Sequence, residues 1–193
     1  YYTGVLAPYE NGSWVNFAMQ TSSANNPAGY NPASMASSFN YSKSGATDSA
    51  SAASAMYTGT KIYDNQINMT TDGTPLKTIF ESAAQAGKSV GAVSTVEFTH
   101  ATPAAVFGHN TNRNNYSEMA LEAIYGSNPN SHNAGYDADN YNGNLKVVMG
   151  TGNPSYNANG QAQSANYTYV GGSQAWTDLG NGTNGWTRIE TKQ

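Results

Sequence analysis

The sequence predicts an α/β fold with long polar loops, and three observations carry that expectation. Between residues 46 and 126, helical periodicity is interrupted by one apolar, β-branched run, "SVGAVSTVEF" at 89–98, of the kind found in a strand covered on both faces. The helical stretches around it are punctuated as helices are, by Thr-Pro starts at Thr74-Pro75 and Thr102-Pro103 and by glycine stops at Gly59 and Gly87. Helix, strand and helix in alternation argue for helices laid against a sheet.

Residues 1–44 read as an irregular approach segment, broken by Asn11-Gly12, Asn26-Pro27 and Asn31-Pro32, with only "WVNFAM" at 14–19 alternating like a strand. From 45 to 126 the chain is more ordered. Thr47 can cap a helix running to Tyr57 or Thr58 and closed by Gly59. Thr74-Pro75 opens a second, whose Leu76, Ile79, Phe80 and Ala83 form an apolar stripe before Gly87. After the strand, Thr102-Pro103 starts a short helix and "NYSEMALEAIY" at 115–125 another, with Asn115 and Glu118 spaced as a capping box. Residues 127–193 form a looser continuation. A polar loop runs to about residue 144, "LKVVMG" at 145–150 reads as a short buried strand, and "SQAWTDLG" at 173–180 as a brief helix. At 193 residues with 38% hydrophobic content, the chain is one domain or a large part of one, here expected as a single incomplete domain over 1–193.

Composition narrows the function. Only 10% of residues are charged, the net charge is −4, and the basic residues are scattered singly, which leaves no phosphate-neutralising face for nucleic acid. No apolar stretch approaches the roughly 20 residues that span a bilayer. With no cysteine, disulfide frameworks and thiolate metal sites are excluded. Few prolines, two arginines and many asparagines are compatible with a cold-adapted source.

The informative stretch is "GATDSASAASAMYTGTK", residues 45–61. Ser49 falls in the first turn of the expected helix, among unpaired N–H groups at the positive end of its dipole, where an anion is stabilised. Alanines at 50, 52, 53 and 55 keep that helix thin enough to pack closely beneath a sheet. From spacing alone, ordinary first-turn duty is the favoured reading of Thr47, Asp48 and Ser49, and Ser49 lacks the flanking glycines of a nucleophile elbow. His100 and Thr102 follow the strand directly, where ligands bind in open α/β sheets, and Arg113 follows one short helix later. Taken singly, Thr102 reads as an N-cap, His100 as a solvated loop residue and Arg113 as surface. Their order is what carries information.

"TDSASAASAMYTGTK" resembles the nucleophile motif of the alkaline phosphatases, and "VSTVEFTHATPAAVFGHNTNR" resembles that family's second motif. "LKVVMGTGNPSY" and "YVGGSQAWTDL" are similar to later family segments, so the likeness runs from about residue 30 onward. The resemblance implies a central, largely parallel sheet flanked by helices, and hydrolysis of small phosphate monoesters through a phosphoserine. It makes Ser49 the nucleophile and a zinc ligand, Arg113 the bidentate holder of two phosphate oxygens, and Asp48 the orienter of that guanidinium. It makes Thr102 a magnesium ligand, with His100 at a neighbouring position that influences how tightly that metal is held. His109 is expected to pack as a structural histidine. The implied cofactors are two Zn2+ and one Mg2+, the implied location is periplasmic or extracellular, and a homodimer is compatible with the family.

The sequence departs from the family in its metal ligands. There is no Gly-Asp-Gly-Met turn at the start and no Asp-x-x-x-His or Asp-His cluster after residue 113, and His100, His109 and His132 are too few to rebuild two zinc sites. Asp137 and Asp139 read as a solvated turn. The chain is therefore expected to be an internal piece of a longer enzyme, inactive alone. The competing reading is a non-catalytic secreted protein that binds phosphate or glycans on a phosphatase-like scaffold.

Overall fold

The computed structural model describes residues 9–10, 13–14, 32–40, 47–70, 72–126 and 145–190. Strands β1 (Tyr9–Glu10) and β2 (Ser13–Trp14) form a small antiparallel pair, and α1 spans Pro32–Ser37. The ordered core follows with α2 (Ser49–Thr58), α3 (Ile79–Gln85), β3 (Val90–Glu97), α4 (Ala101–Ala104) and α5 (Tyr116–Tyr125). Strand β4 (Leu145–Thr151), a 3-10 turn at Thr168–Val170, α6 (Ser173–Gly180) and a second 3-10 turn at Thr183–Gly185 complete the described chain. The remainder of the strand expected at 15–19, and the polar loop at 127–144 with His132, Asp137 and Asp139, lie outside the described residues.

The parallel pairing expected of an α/β fold is present. β3 and β4 run parallel, with Val90 opposite Leu145, Ala92 opposite Val148 and Glu97 opposite Thr151. Parallel neighbours need a crossover, and α4 and α5 lie within the one that joins these two. A Cβ on Gly150 would sit 2.7 Å from the Phe98 nitrogen and the Val96 oxygen, so glycine is what lets the strands approach there.

The expectation of strands buried on both faces fails. Val90, Ala92 and Leu145 face the core, but Val93 is 73% exposed and Val147 and Met149 are exposed too. The β-branched run marks strand propensity, and two-sided cover is a tertiary fact that propensity does not encode.

The core joins Ala50 and Ala53 of α2, Ala101 and Ala104 of α4, Val106, Phe107, Ile67, Val90, Ala92 and Met119. The thin α2 packs chiefly on α4, and both α4 and α3 contact β3.

Several helix starts move by a few residues. Asp48, not Thr47, caps α2, because its carboxylate accepts the Ala50 N–H (3.0 Å) and the Ser51 N–H (3.4 Å). α3 starts at Ile79 rather than Thr74-Pro75: Thr78 and Glu81 form a full capping box, while Pro75 pairs with Met69 in an isolated bridge. In α4 the N-cap position is His100, two residues before Thr102 and without a side-chain capping bond, so Thr102 lies inside the helix. Asn115 precedes α5 but makes no capping bond. Its side chain donates to Asn110 Oδ1 (2.9 Å), and Glu118 accepts from Asn110 Nδ2 (2.7 Å). Among the described residues no helix is long and apolar enough to cross a membrane.

Candidate active site

Ser49 is the first residue of α2, exposed, on a helix whose start is fixed by the Asp48 cap. Arg113 arrives from the turn between α4 and α5. Its Nη1 donates both to Asp48 Oδ1 and to Ser49 Oγ, the latter at 2.6 Å across 64 positions of sequence. Asp48 Oδ2 meanwhile accepts the Ala50 and Ser51 N–H groups and the Asn65 N–H (3.0 Å). Burial pushes the Asp48 carboxyl up, but the Asn65 N–H, the Arg113 guanidinium and the Ala50 N–H together hold it below the usual 3.8. A carboxylate thus stays ionised beside a guanidinium, and both border one hydroxyl at a helix N-terminus. That arrangement can hold a tetrahedral oxyanion.

Among the described residues, Thr102 and His100 share no hydrogen bond with Asp48, Ser49 or Arg113. Thr102 is exposed on α4. His100 is not a solvated loop residue: its Nε2 lies 3.2 Å from Glu97 Oε2, and its ring stacks on Tyr116 at 5.2 Å and leans on Tyr169 at 5.8 Å. The rings of Tyr116 and Tyr169 are themselves 5.0 Å apart. Among the described residues no three His, Asp or Glu side chains converge in a metal-binding group. His109 is buried between Glu81 and Glu122, as a packed histidine should be.

Asn65 and Glu97 went unnoticed in the sequence. Asn65 stands in "DNQIN" after a helix, a composition that signals a turn but not what the turn holds. Glu97 lies near the end of the run read as a strand, and its partner His100 is only three residues further on.

An ionised Asp-Arg pair fronting a serine at a helix start, on an α/β scaffold, has the chemistry to bind an anion. The comparisons place that scaffold. A model of the alkaline phosphatase family matches residues 20–191, and the chain belongs to that family. Alkaline phosphatase 4 of Bacillus subtilis is 38% identical over 136 residues, which are 67% of this chain and 27% of that protein. Alkaline phosphatase 3 of the same organism is 47% identical over 74 residues, 38% of this chain and 16% of that protein. A cold-active alkaline phosphatase from a psychrophilic Shewanella sp. superimposes with a TM-score of 0.49 at 27% identity, over 72% of this chain and 27% of that one. The chain thus spans about a quarter of the length of the first of these relatives.

Proposed function

We propose that the full-length protein hydrolyses phosphate monoesters through a phosphoserine at Ser49. The observation that carries this reading is the single Arg113 Nη1 bonded to both Asp48 and Ser49 Oγ. Phosphoryl transfer asks little covalent chemistry of a protein and much positioning and charge stabilisation. Ser49 Oγ forms the new bond to phosphorus as the bond to the ester oxygen breaks and that oxygen takes up a proton. Water then displaces Ser49 Oγ, returning the serine and releasing inorganic phosphate. Arg113 holds non-bridging oxygens through both steps, Asp48 keeps the guanidinium aimed, and the positive end of the α2 dipole favours the negative charge, the Ala50 and Ser51 N–H groups being taken by Asp48.

The family likeness also implies two Zn2+ and one Mg2+. The described residues do not by themselves fit these ions, because no three His, Asp or Glu side chains among them form a group that could hold a metal. What this chain offers is the Ser49 hydroxyl toward zinc and the Thr102 hydroxyl toward magnesium, with His100 and its partner Glu97 beside it. Further ligands would come from elsewhere in the parent protein. Small phosphate monoesters outside the cytoplasm, in the periplasm or the medium, are the proposed substrates.

Rapid-quench measurement of phosphoenzyme in the full-length protein tests the reading. Ser49→Ala should remove the phosphoenzyme and lower turnover by roughly 10^3-fold or more. Unchanged turnover in that variant would reject the assignment. Stoichiometric phosphate retention without turnover by the unaltered protein would favour the non-catalytic binding reading.

A further inference from the structure

Only two non-glycine residues among those described have a positive φ, and both lie in "DNQIN": Asn65 at 67° and Asn68 at 48°. L-residues resist this left-handed region, and asparagine resists it least after glycine. Asn68 is fully buried and explains its own conformation. Its N–H donates to Ser54 Oγ (2.8 Å), and its side-chain amide donates to the Ala105 and Gly108 carbonyls (2.7 and 2.9 Å), tying α2 to the end of α4. Ile67 exchanges backbone bonds with Asn110, and Asp64 Oδ1 accepts the Ser51 hydroxyl (3.0 Å). The segment is therefore anchored on both sides of Asn65.

Asn65 itself is exposed, so core packing does not account for its backbone. Its main chain reaches both members of the site: the N–H donates to Asp48 Oδ2 (3.0 Å), and the carbonyl accepts the Arg113 N–H (2.7 Å). One residue thus fixes the carboxylate that orients the guanidinium and the backbone from which that guanidinium extends. We infer that Asn65 is a positioning residue for phosphate binding, and that it acts through its left-handed main chain rather than its side chain. Turned to negative φ between its anchors, the residue would lose the bond to Asp48 or the bond to Arg113. The inference rests on reading Ser49 and Arg113 as the phosphate site.

The test compares Asn65→Gly, Asn65→Ala and Asn65→Val in the full-length protein, by the inhibition constant of inorganic phosphate, kcat/KM for a monoester, and melting temperature. Glycine enters the left-handed region freely and a β-branched residue does not. Phosphate affinity should stay within about twofold in Asn65→Gly and fall about tenfold or more in Asn65→Val, with Asn65→Ala between. In an Arg113→Ala background, Asn65→Val should cause no further loss of kcat/KM. Equal phosphate affinity in the glycine and valine variants would overturn the inference, as would a loss that persists undiminished without Arg113, or a loss in Asn65→Gly as large as in Asn65→Val. Should Asn65→Val not accumulate as folded protein, the alanine-to-glycine comparison decides in the same way. Full turnover in Ser49→Ala would instead bring down the site reading itself, while loss there with an indifferent Asn65 series would bring down the positioning role alone.

Discussion

Two charged clusters in this molecule are built from similar parts and do different things. At the start of α2, Asp48 faces Arg113, with the two side chains 17% and 19% exposed. In the core, His109 lies between Glu122 (Nδ1 to Oε1, 3.4 Å) and Glu81 (Nε2 to Oε2, 3.6 Å), all three side chains at most 4% exposed. Nε2 also meets the Leu76 carbonyl at 3.0 Å, and the Glu122 carboxylate accepts the His109 backbone N–H at 3.1 Å. Both ring nitrogens of His109 are thus engaged. Arg113 has a five-donor fork, and its side-chain bonds among the described residues use Nη1 alone. The partly buried cluster keeps donors free for a ligand, whereas the fully buried one closes on itself. Spare hydrogen-bonding capacity, more than charge, separates a site from a brace.

Arg113→Ala should break this contrast from the side of function. If Arg113 holds the transferred group as proposed, its loss should lower kcat/KM by about 10^2- to 10^3-fold with little change in melting temperature. Arg113→Lys should recover only part of it, because an ammonium is a point charge without the planar fork. Steady-state kinetics on the full-length protein check both. A large fall in stability with intact kcat/KM would make Arg113 a brace like His109.

His109→Ala is the mirror experiment. Removing the imidazole leaves two buried carboxylates facing each other, and uncompensated buried charge costs about 3–5 kcal/mol. Denaturant unfolding should show that loss, while the folded fraction keeps its kcat/KM. A fall in kcat/KM larger than the fall in stability would place His109 in the site.

How much of this contrast was legible beforehand follows from what each element depends on. The order of Ser49, His100, Thr102 and Arg113 was readable, because helix starts and the strand between them are local signals. The helix caps shifted by up to four residues where the deciding partner was a later side chain, as at Thr78, whose mate is Glu81. The stack of His100 on Tyr116 and Tyr169 and the grip of Asn65 on Asp48 and Arg113 join distant segments. No periodicity announces such contacts. The exposed outer face of β3 was misread for the same reason: Val93 looks identical whether or not something covers it.

The pH dependence of stability should separate the clusters at opposite ends of the scale. Burial alone would lower the pKa of His109, but its hydrogen bonds and charge contacts with Glu122 and Glu81 raise it from 6.5 to about 9. Unfolded, the imidazole releases its proton near 6.5, so its contribution is full below that pH, declines as pH rises, and is lost above about 9. Burial pushes the Glu122 carboxyl up, against the pull of His109. Asp48 behaves oppositely: its folded pKa lies below 3.8, and its contribution is present above that value and lost as pH falls through the folded one. The difference in melting temperature between the parent and His109→Gln should therefore shrink from pH 6.5 to 9. The difference from Asp48→Asn should shrink only in acid. A flat His109 profile would mean that the imidazole is neutral in the folded protein.

The smallest effect concerns a residue shared between local and tertiary order. Glu81 closes the capping box of α3, its carboxylate accepting the Thr78 N–H at 2.6 Å while Thr78 Oγ1 accepts the Glu81 N–H at 3.1 Å, and the same carboxylate faces His109. If His109 and Glu122 hold Glu81 in place by charge, Thr78→Ala removes one cap bond and costs about 1 kcal/mol. If the cap is what aims Glu81, the same substitution loosens the buried cluster and its cost approaches that of His109→Ala. A double-mutant cycle between Thr78→Ala and His109→Gln, read by denaturant unfolding, distinguishes them. The geometry favours the first outcome, because the Thr78 N–H still donates to Glu81 once the side-chain hydroxyl is gone, and the coupling should then stay within about 0.5 kcal/mol.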